Sequence, residues 1–571
     1  MAYHVTIDAE TYGDARESFS WDVPEGFNAA TDLVGKHEDG DRTALYQLTA
    51  DGDRERYSFD DLDERSSAVA NTLADRGIER GDRVAVVVPQ KPANALTHLA
   101  CWKLGAISLP LSVLFGDDAL RYRLTDSEAR VAVVDRSQWE TIRDVAPDCP
   151  ALESVLVVDG DEAALEDGDL DVSVASFDAA VDWTETAFEP VDTDVDTPAI
   201  VMYTSGSTGE PKGVLHTHGI WLGHCPAFEM YFERAADEGV YWTPADWAWI
   251  GALGDLLFPA WHYGQSVVGH PMGSFDPERA YEIMADFDVT NAFLPPTAIR
   301  LLMGVDDPAE RYDLSLEAIC SGGEPLTREI VAWADTELEG VVVNELYGQT
   351  EANLLVANCR EWFPAKPGSM GKPVPGHDVA VVDTETGERV ETGEIGEIAV
   401  RRGDDPVIFE RYWNAPEKTA RVTLEDGPDG GEQSDTIRSA SDGASAGDVW
   451  HLTGDLAERD EDGYLWFASR DDDLIITSGY RVAPREVEET ILEHDAVEQV
   501  GVVGVPDETR GEIIRAVVQP IEDVTGTDDL RGEIRDLVRE RLAEYEYPRE
   551  IEFRDELPTT TTGKIRRTEL R

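Results

Sequence analysis

Residues 198–213 read PAIVMYTSGSTGEPKG, an apolar run that gives way to a loop of Thr, Ser and Gly and ends on Lys212. The apolar half has the branched, unbroken character of a buried strand. The polar half offers backbone N–H groups and hydroxyls to phosphate oxygens, and Lys212 adds a point positive charge, so a polyphosphate is the expected ligand. A nucleoside triphosphatase loop would read GxxxxGK followed by Ser or Thr. Here Pro211 precedes Lys212 and Gly213 follows it, which turns the expectation away from γ-phosphate transfer.

Outward from this loop, short branched runs alternate with amphipathic stretches: a helix over Asp61–Arg76, then strands over Arg83–Val88, Ala106–Leu111, Arg130–Val134 and Ser154–Val158. That alternation predicts an α/β fold with mostly parallel sheets. Two stretches break it. Asp159–Asp196 is strongly acidic and reads as a surface excursion with little core, and Glu425–Asp448 is almost without apolar residues and reads as a loop insertion. After Arg470 the pattern restarts: helix Pro484–His494, strands Val500–Val505 and Ile513–Pro520, helix Asp528–Leu542, strand Ile551–Arg554. This predicts a large, multi-subdomain N-terminal domain over 1–470 and a small α+β domain over 471–571.

The chain has 571 residues, room for several domains, and 42% hydrophobic residues, enough to fold despite a net charge of −69. So acidic a surface repels phosphate backbones and anionic lipid, which argues against nucleic acid or a membrane surface as the main partner. Of 48 basic residues, eight are Lys and the other 40 are Arg. The balance resembles that of proteins from salt-in halophiles, where molar salt shortens the Debye length to about 3 Å and surface carboxylates cease to repel one another. Five Cys without a CxxC pair are too few and too scattered for a disulfide framework or a zinc site. With no basic, apolar leader in the first 20 residues and no run of about 18 apolar residues, a cytoplasmic location is expected.

Six motifs occur in order: TSGSTGEPKG at 204–213, SGGEP at 321–325, YGQTE at 347–351, TGD at 453–455, SRDDDLIITSGYRVAPREVE at 469–488 and PTTTTGKIRR at 558–567. Singly, TGD or YGQTE is weak. As an ordered set they strongly resemble the adenylate-forming (AMP-binding) superfamily, which includes acyl-CoA synthetases, luciferases and the adenylation domains of peptide synthetases; the likeness runs from about residue 40 to the end, apart from the insertion.

The resemblance implies roles for particular residues. Thr204, Ser205, Gly206, Ser207, Thr208, Gly209 and Lys212 would cradle the ATP phosphates, with Thr350 nearby. Gly323, Glu324 and Pro325 would line the adenine, and Tyr347, followed by Gly348 and Gln349, would stack on it. Asp455 and Arg470 would hold the ribose hydroxyls, and Glu351 would ligate Mg²⁺. Lys564 would bridge the incoming carboxylate and the α-phosphate, with Thr208 and Glu351 as its catalytic companions. Asp472 would be the hinge about which the small domain turns as a mobile lid, although Ser469 stands where the family commonly has Gly; Gly479, Tyr480 and Arg481 would serve the CoA step. Trp249, Ile250, Gly251, Gly322 and Gly348 would form the acyl pocket. Against the acetate-specific pattern, Gly348 replaces a Trp, Gly251 a Thr and Gly322 a Val, which would leave room for a medium-chain or branched short-chain acid at roughly 0.8 kcal/mol per buried CH₂. Ala352 and Asn353 also depart from the Thr-Gly of many medium-chain members.

The function so implied is an AMP-forming carboxylic acid–CoA ligase using ATP, Mg²⁺ and coenzyme A. Two alternatives stand beside it. An acyl-adenylating enzyme could load a carrier protein; only seven residues follow Lys564, which weighs against a fused carrier and leaves a free one open. A catalytically silent nucleotide-binding protein would be expected to lack Lys564, Glu351 or Lys212, and all three are present. The charge balance carries a prediction of its own: activity and thermal unfolding temperature should rise from dilute buffer to molar KCl, and a maximum in dilute buffer would refute the halophilic reading.

Overall fold

The computed structural model describes residues 4–571 except 162–164, 166–169, 205–209, 235–238, 324–325, 339, 385, 404, 426, 429–448, 471–472, 478–479, 508–510, 522–523, 543–545 and 560–564. The insertion at 425–448 therefore lies almost wholly outside the described residues. Two compact units emerge. One is built from Met1–Asp378, Val400–Asp426 and Gly431–His451; the other takes Val379–Ala399, Gly427–Gly430 and Leu452–Arg571.

The larger unit is α/β, as the alternation predicts. One nine-stranded sheet runs in the order Lys372–Pro373, Val356–Ala357, Val342–Tyr347, Ala318–Gly322, Asn291–Phe293, Val240–Trp242, Ser266–Gly269, Thr43–Leu48, Arg54–Ser58. Its central pairings are parallel and its two ends antiparallel. The second sheet has eight strands in the order Arg411–Tyr412, Lys212–Thr217, Pro198–Thr204, Ile107–Pro110, Arg83–Val87, Val131–Asp135, Ser154–Val158, Ser173–Ser176. The expected helix forms over Phe59–Asp75, where Ser58 and Asp61 cap each other's backbone in a capping box. The segment 159–196 departs from expectation. Ser173–Ser176 adds a parallel edge strand on Ser154–Val157, and Val172, Phe177 and Val181 are buried. A few apolar residues spaced among many carboxylates suffice to dock it.

An aromatic cluster ties helix to strand. Trp102, on helix Pro92–Leu104, lies 5.3 Å from Trp221 and 5.0 Å from Phe258, ring centre to ring centre, and all three are buried. Its indole N–H donates to the carbonyl of Ala199 at 2.9 Å, so the cluster also fixes the strand Pro198–Thr204 that leads into the phosphate loop.

The smaller unit is α+β. Helices Pro484–Leu492 and Asp528–Arg541 pack Val487, Ile491, Ile534 and Val538 on one face of a sheet built around Val497–Asp507 and Gly511–Pro520. The other face carries Val503, Val505, Val517, Leu557 and Leu570. Glu550–Phe553 joins in parallel and Ile475–Thr477 antiparallel. The same unit holds the antiparallel strands Val379–Val382 and Leu465–Arg470 with most of Ile395–Arg401 and Trp450–Arg459.

Burial sets the acid limit of the fold. It pushes the imidazoles of His98, His218, His224 and His451 down to about 3 and that of His216 to about 4, from an ordinary 6.5. These groups take up protons only when the chain unfolds. Their stabilisation is complete above about pH 6.5 and is lost as the pH falls towards 4. At molar KCl, where carboxylate repulsion is screened, the unfolding temperature should therefore drop steadily from pH 7 to pH 5; a flat profile would contradict the neutral assignment.

Candidate active site

The strand Pro198–Thr204 does not lead into a helix. It turns back as the antiparallel strand Lys212–Thr217, with Thr204 opposite Lys212 and Tyr203 opposite Gly213. Ser205, Gly206, Ser207, Thr208 and Gly209, between those two ends, lie outside the described residues. With a strand on each side, Lys212 stands at the start of a strand and not at a helix N-terminus. The hairpin is anchored from outside: Tyr203 Oη donates to Asp126 Oδ2 at 2.6 Å, and Tyr122 Oη to the carbonyl of Pro211 at 3.0 Å. Beside it opens a cavity of about 300 Å³ lined by Tyr122, Asp126, Lys212, Trp413 and Lys418.

Lys212 is brought together with Glu351 by a residue that motif reading missed. The short strand Arg411–Tyr412 pairs antiparallel with Val214 and Leu215. This sets Lys212 Nζ 4.6 Å from the centre of the Tyr412 ring and 3.5 Å from its hydroxyl. The hydroxyl donates to Glu351 Oε1 at 2.7 Å, and the Glu351 carbonyl accepts from Phe409 N at 2.8 Å. Two buried histidines hold the preceding loop, each donating through Nε2: His216 to the carbonyl of Thr350 at 2.6 Å, and His451 to Gln349 Oε1 at 3.1 Å. In the sequence Tyr412 is one aromatic among many. His216, four residues after Lys212, was the more readable signal.

Tyr347, Gly322 and Gly323 meet at the carboxyl ends of adjacent parallel strands, where Gly322 pairs with Leu346, the usual ligand edge of an open α/β sheet. Glu324 and Pro325 lie outside the described residues. Gly323 has φ +87°, a conformation that favours glycine. The glycines expected to widen an acyl pocket have mixed reasons. A Cβ on Gly348 would overlap the amide nitrogen of Leu354, a residue itself at φ +52°, and a Cβ on Gly322 would overlap the Leu346 side chain. The backbone demands glycine at 348, whereas at 322 the Leu346 side chain would have to shift. At Gly251 the atoms nearest a Cβ would be the edge of Phe293 at 3.2 Å and Asp255 Oδ2 at 3.5 Å, all of them in side chains. Trp249 and Ile250 are half-buried beside it, with Trp249 edge-on to Phe115 at 6.0 Å.

In the smaller unit, Asp455 and Arg470 face each other across paired strands, with Arg470 Nη1 3.7 Å from Asp455 Oδ1. The carboxylate is buried and the guanidinium half exposed. The Asp455 amide donates to Thr453 Oγ1 at 3.2 Å, and the Gly454 amide to Glu397 Oε1 at 2.7 Å, which fixes the turn that carries the aspartate. Tyr480 and Arg481 sit on the strand Tyr480–Val482, paired with Ile475–Thr477. Asp472, Gly479 and Lys564 lie outside the described residues.

The family model for the AMP-binding enzyme matches residues 35–413, and that for the AMP-binding enzyme C-terminal domain matches 486–564. Acetyl-coenzyme A synthetase of Bacillus subtilis is 35% identical over 548 residues, covering 95% of this chain and 89% of its own. The mitochondrial acyl-coenzyme A synthetase ACSM4 of Rattus norvegicus is 34% identical over 566 residues, covering 96% and 91%. Among solved structures, the anthranilate CoA ligase AuaEII in complex with anthranoyl-AMP superposes with a TM-score of 0.80 at 27% identity, over 96% of this chain and 97% of that one. The Glu351 carboxylate, held by the Tyr412 hydroxyl, is a hard oxygen donor that would suit the Mg²⁺ such enzymes use. The Tyr412 hydroxyl should then matter through Glu351. Tyr412→Phe is expected to raise the Mg²⁺ concentration needed for half-maximal ATP–pyrophosphate exchange about three- to tenfold, with thermal stability within about 1 kcal/mol of the parent; an unchanged Mg²⁺ dependence would deny the link. With both models matched and relatives above 30% identity along nearly its whole length, the chain belongs to the AMP-binding enzyme family and is an AMP-forming acyl-CoA synthetase that uses ATP, Mg²⁺ and CoA on a carboxylic acid by way of an acyl-adenylate.

Proposed function

We propose that the chain activates a medium-chain or branched short-chain carboxylic acid. The carboxylate oxygen attacks the α-phosphorus of ATP and pyrophosphate leaves; the CoA thiolate then attacks the acyl carbon and AMP leaves. The observation that carries the site assignment is the run Lys212–Tyr412–Glu351, a cation and a carboxylate joined through one phenol at the mouth of the hairpin. In this reading Lys212 and the loop 204–209 hold the β- and γ-phosphates. Glu351 takes the Mg²⁺, whose chemistry when bound is to neutralise phosphate charge. Tyr347 with Gly323, Glu324 and Pro325 receives the adenine, and Asp455 with Arg470 the ribose. Lys564 offsets the repulsion between carboxylate and α-phosphate. Residues 471–571 turn about Asp472 between the two half-reactions, and Gly479, Tyr480 and Arg481 then face the thiol.

An acid larger than acetate is supported by Gly251, where only side-chain atoms border the missing Cβ. A cytoplasmic location is supported by five cysteines that are all free and buried. No helix among the described residues is long and apolar enough to cross a membrane. The acidic, Lys-poor composition supports work at high salt.

The test is AMP release at molar KCl with acetate, propionate, branched C4–C5, C6–C10 and aryl acids, with and without CoA. A C4–C10 acid should lead and CoA should be required for acyl transfer; acetate as the best substrate would refute the chain-length reading. Lys564→Ala should lower acid-dependent ATP–pyrophosphate exchange about 10²–10³-fold and spare thioester formation from supplied acyl-AMP. Equal loss in both halves would contradict the domain-turning assignment.

A further inference from the structure

The helical segment that begins after Trp249 changes its winding midway. Ile250–Ala252 is α-helical, Leu253–Leu257 forms a π turn and Phe258–His262 is α-helical again. π turns inside helices are uncommon and gather at functional positions. At the centre of this one stands Asp255, 4% exposed. Its Oδ1 accepts from Asn353 Nδ2 at 3.3 Å and lies 3.7 Å from His224 Nδ1. Asn353 Nδ2 is also 3.1 Å from His224 Nε2, so the three side chains form one buried polar group. Asn353 lies two residues after the YGQTE motif, and its side-chain amide meets Asp255 and His224.

The second oxygen of that carboxyl is not used in the same way. Oδ2 has no hydrogen bond among the described residues, and it lies 3.5 Å from where a Cβ on Gly251 would stand, beside the Phe293 ring edge. At Gly251, unlike Gly348, the three atoms nearest a Cβ all belong to side chains, Asp255 Oδ2 among them, on the half-buried side of the helix. Burial pushes the Asp255 carboxyl well above the usual carboxylate range and the His224 imidazole down to about 3, and both shifts favour the neutral forms. With Oδ1 accepting, the proton of a neutral carboxyl sits on Oδ2. A buried polar atom without a partner is costly, and a ligand that supplies the partner is favoured over one that cannot.

We propose that Asp255 selects acids that carry a hydroxyl group on the acyl chain, Oδ2 donating to the hydroxyl oxygen and the hydroxyl proton bonding back to the carboxyl. A hydroxyl answers both functions of a neutral carboxyl. A methyl in its place answers neither, and an ammonium would require the carboxyl to ionise in an apolar interior. The proposal deepens the acyl-CoA synthetase reading and rests on Trp249, Ile250 and Gly251 forming the acyl wall.

The experiment compares pairs of C4–C6 acids with a β-, γ- or δ-hydroxyl or a methyl at the same carbon, scored as the ratio of kcat/KM for CoA-dependent AMP release. At least one hydroxy acid should exceed its methyl partner by about tenfold or more, the worth of one satisfied buried hydrogen bond. Asp255→Ala should bring that ratio to about one. Gly251→Ala, which covers Oδ2 while keeping the carboxyl, should lower it too and decides the matter if Asp255→Ala does not fold. A methyl preference in every pair, or a hydroxyl preference that survives both substitutions, overturns the proposal. Preference for the corresponding amino acids over the hydroxy acids overturns it as well, because Asp255 would then be a counter-ion. If no acid of any kind releases AMP, the acid–CoA ligase reading fails first, a result distinct from an active enzyme with the wrong ratio.

Discussion

The antiparallel pairing of Arg411 and Tyr412 with Leu215 and Val214 joins parts of the chain about two hundred residues apart, and the candidate site depends on it. Its hydrogen bonds are few, so its position is secured from the sides. Trp413 N donates to the Gly213 carbonyl at 2.7 Å, Trp413 Nε1 to the Asp126 carbonyl at 3.1 Å, and Arg402 to the carbonyls of Phe409 and Glu410 at 2.6 and 2.9 Å. One segment therefore fastens the hairpin that carries Lys212 and the Glu351 loop to each other. A side chain at Gly213 would press on Trp413 and Val201 at 3.0 Å, and this close approach is why glycine follows the lysine.

Local signals carried most of the architecture. Apolar periodicity located Ser154–Val158 to the residue and placed the ends of the Pro484 and Asp528 helices within a few positions, because burial on a strand or helix face leaves a period in the sequence. The acidic segment after Asp159 was harder to read. Its fold rests on isolated residues such as Phe177, and composition averaged over the stretch hides them. The site divides the same way. Motifs point to the residues proposed to meet a ligand. They do not point to Tyr412, His216 or His451, which act by holding such residues and are brought near only by tertiary pairing. The glycines show a further limit, since the letter alone does not distinguish a side-chain neighbourhood at Gly251 from a backbone one at Gly348.

The scarcity of lysine becomes intelligible from where the lysines stand. Lys103 is buried with three hydrogen bonds, to the carbonyl and carboxylate of Asp63 and to Ser67 Oγ. Lys36 lies against Asp32 at 2.7 Å and His262 at 3.0 Å; burial alone would raise the Asp32 carboxyl, but His262 and Lys36 hold it far below its ordinary range. Lys91 bridges Asp135 and Asp159 at 2.5 and 2.6 Å, which also fastens the start of the acidic segment. At these places a compact ammonium with three donors suits the geometry, whereas exposed positions carry the planar guanidinium, which binds carboxylates in a fork.

The smaller unit is assembled from separated pieces of chain, and this bears on how the protein is made. Val379–Val382 and Ile395–Arg401 leave the ribosome before Trp450–Arg459, the strand that neighbours Ile395–Arg401 in the sheet, and the whole of 402–449 must be synthesised in between. During that interval the pair presents an open, Val- and Ile-rich edge to any other nascent chain, the kind of template on which strands aggregate. Translation speed across the intervening stretch, and chaperone cover while it lasts, thus become determinants of yield that the finished fold no longer displays.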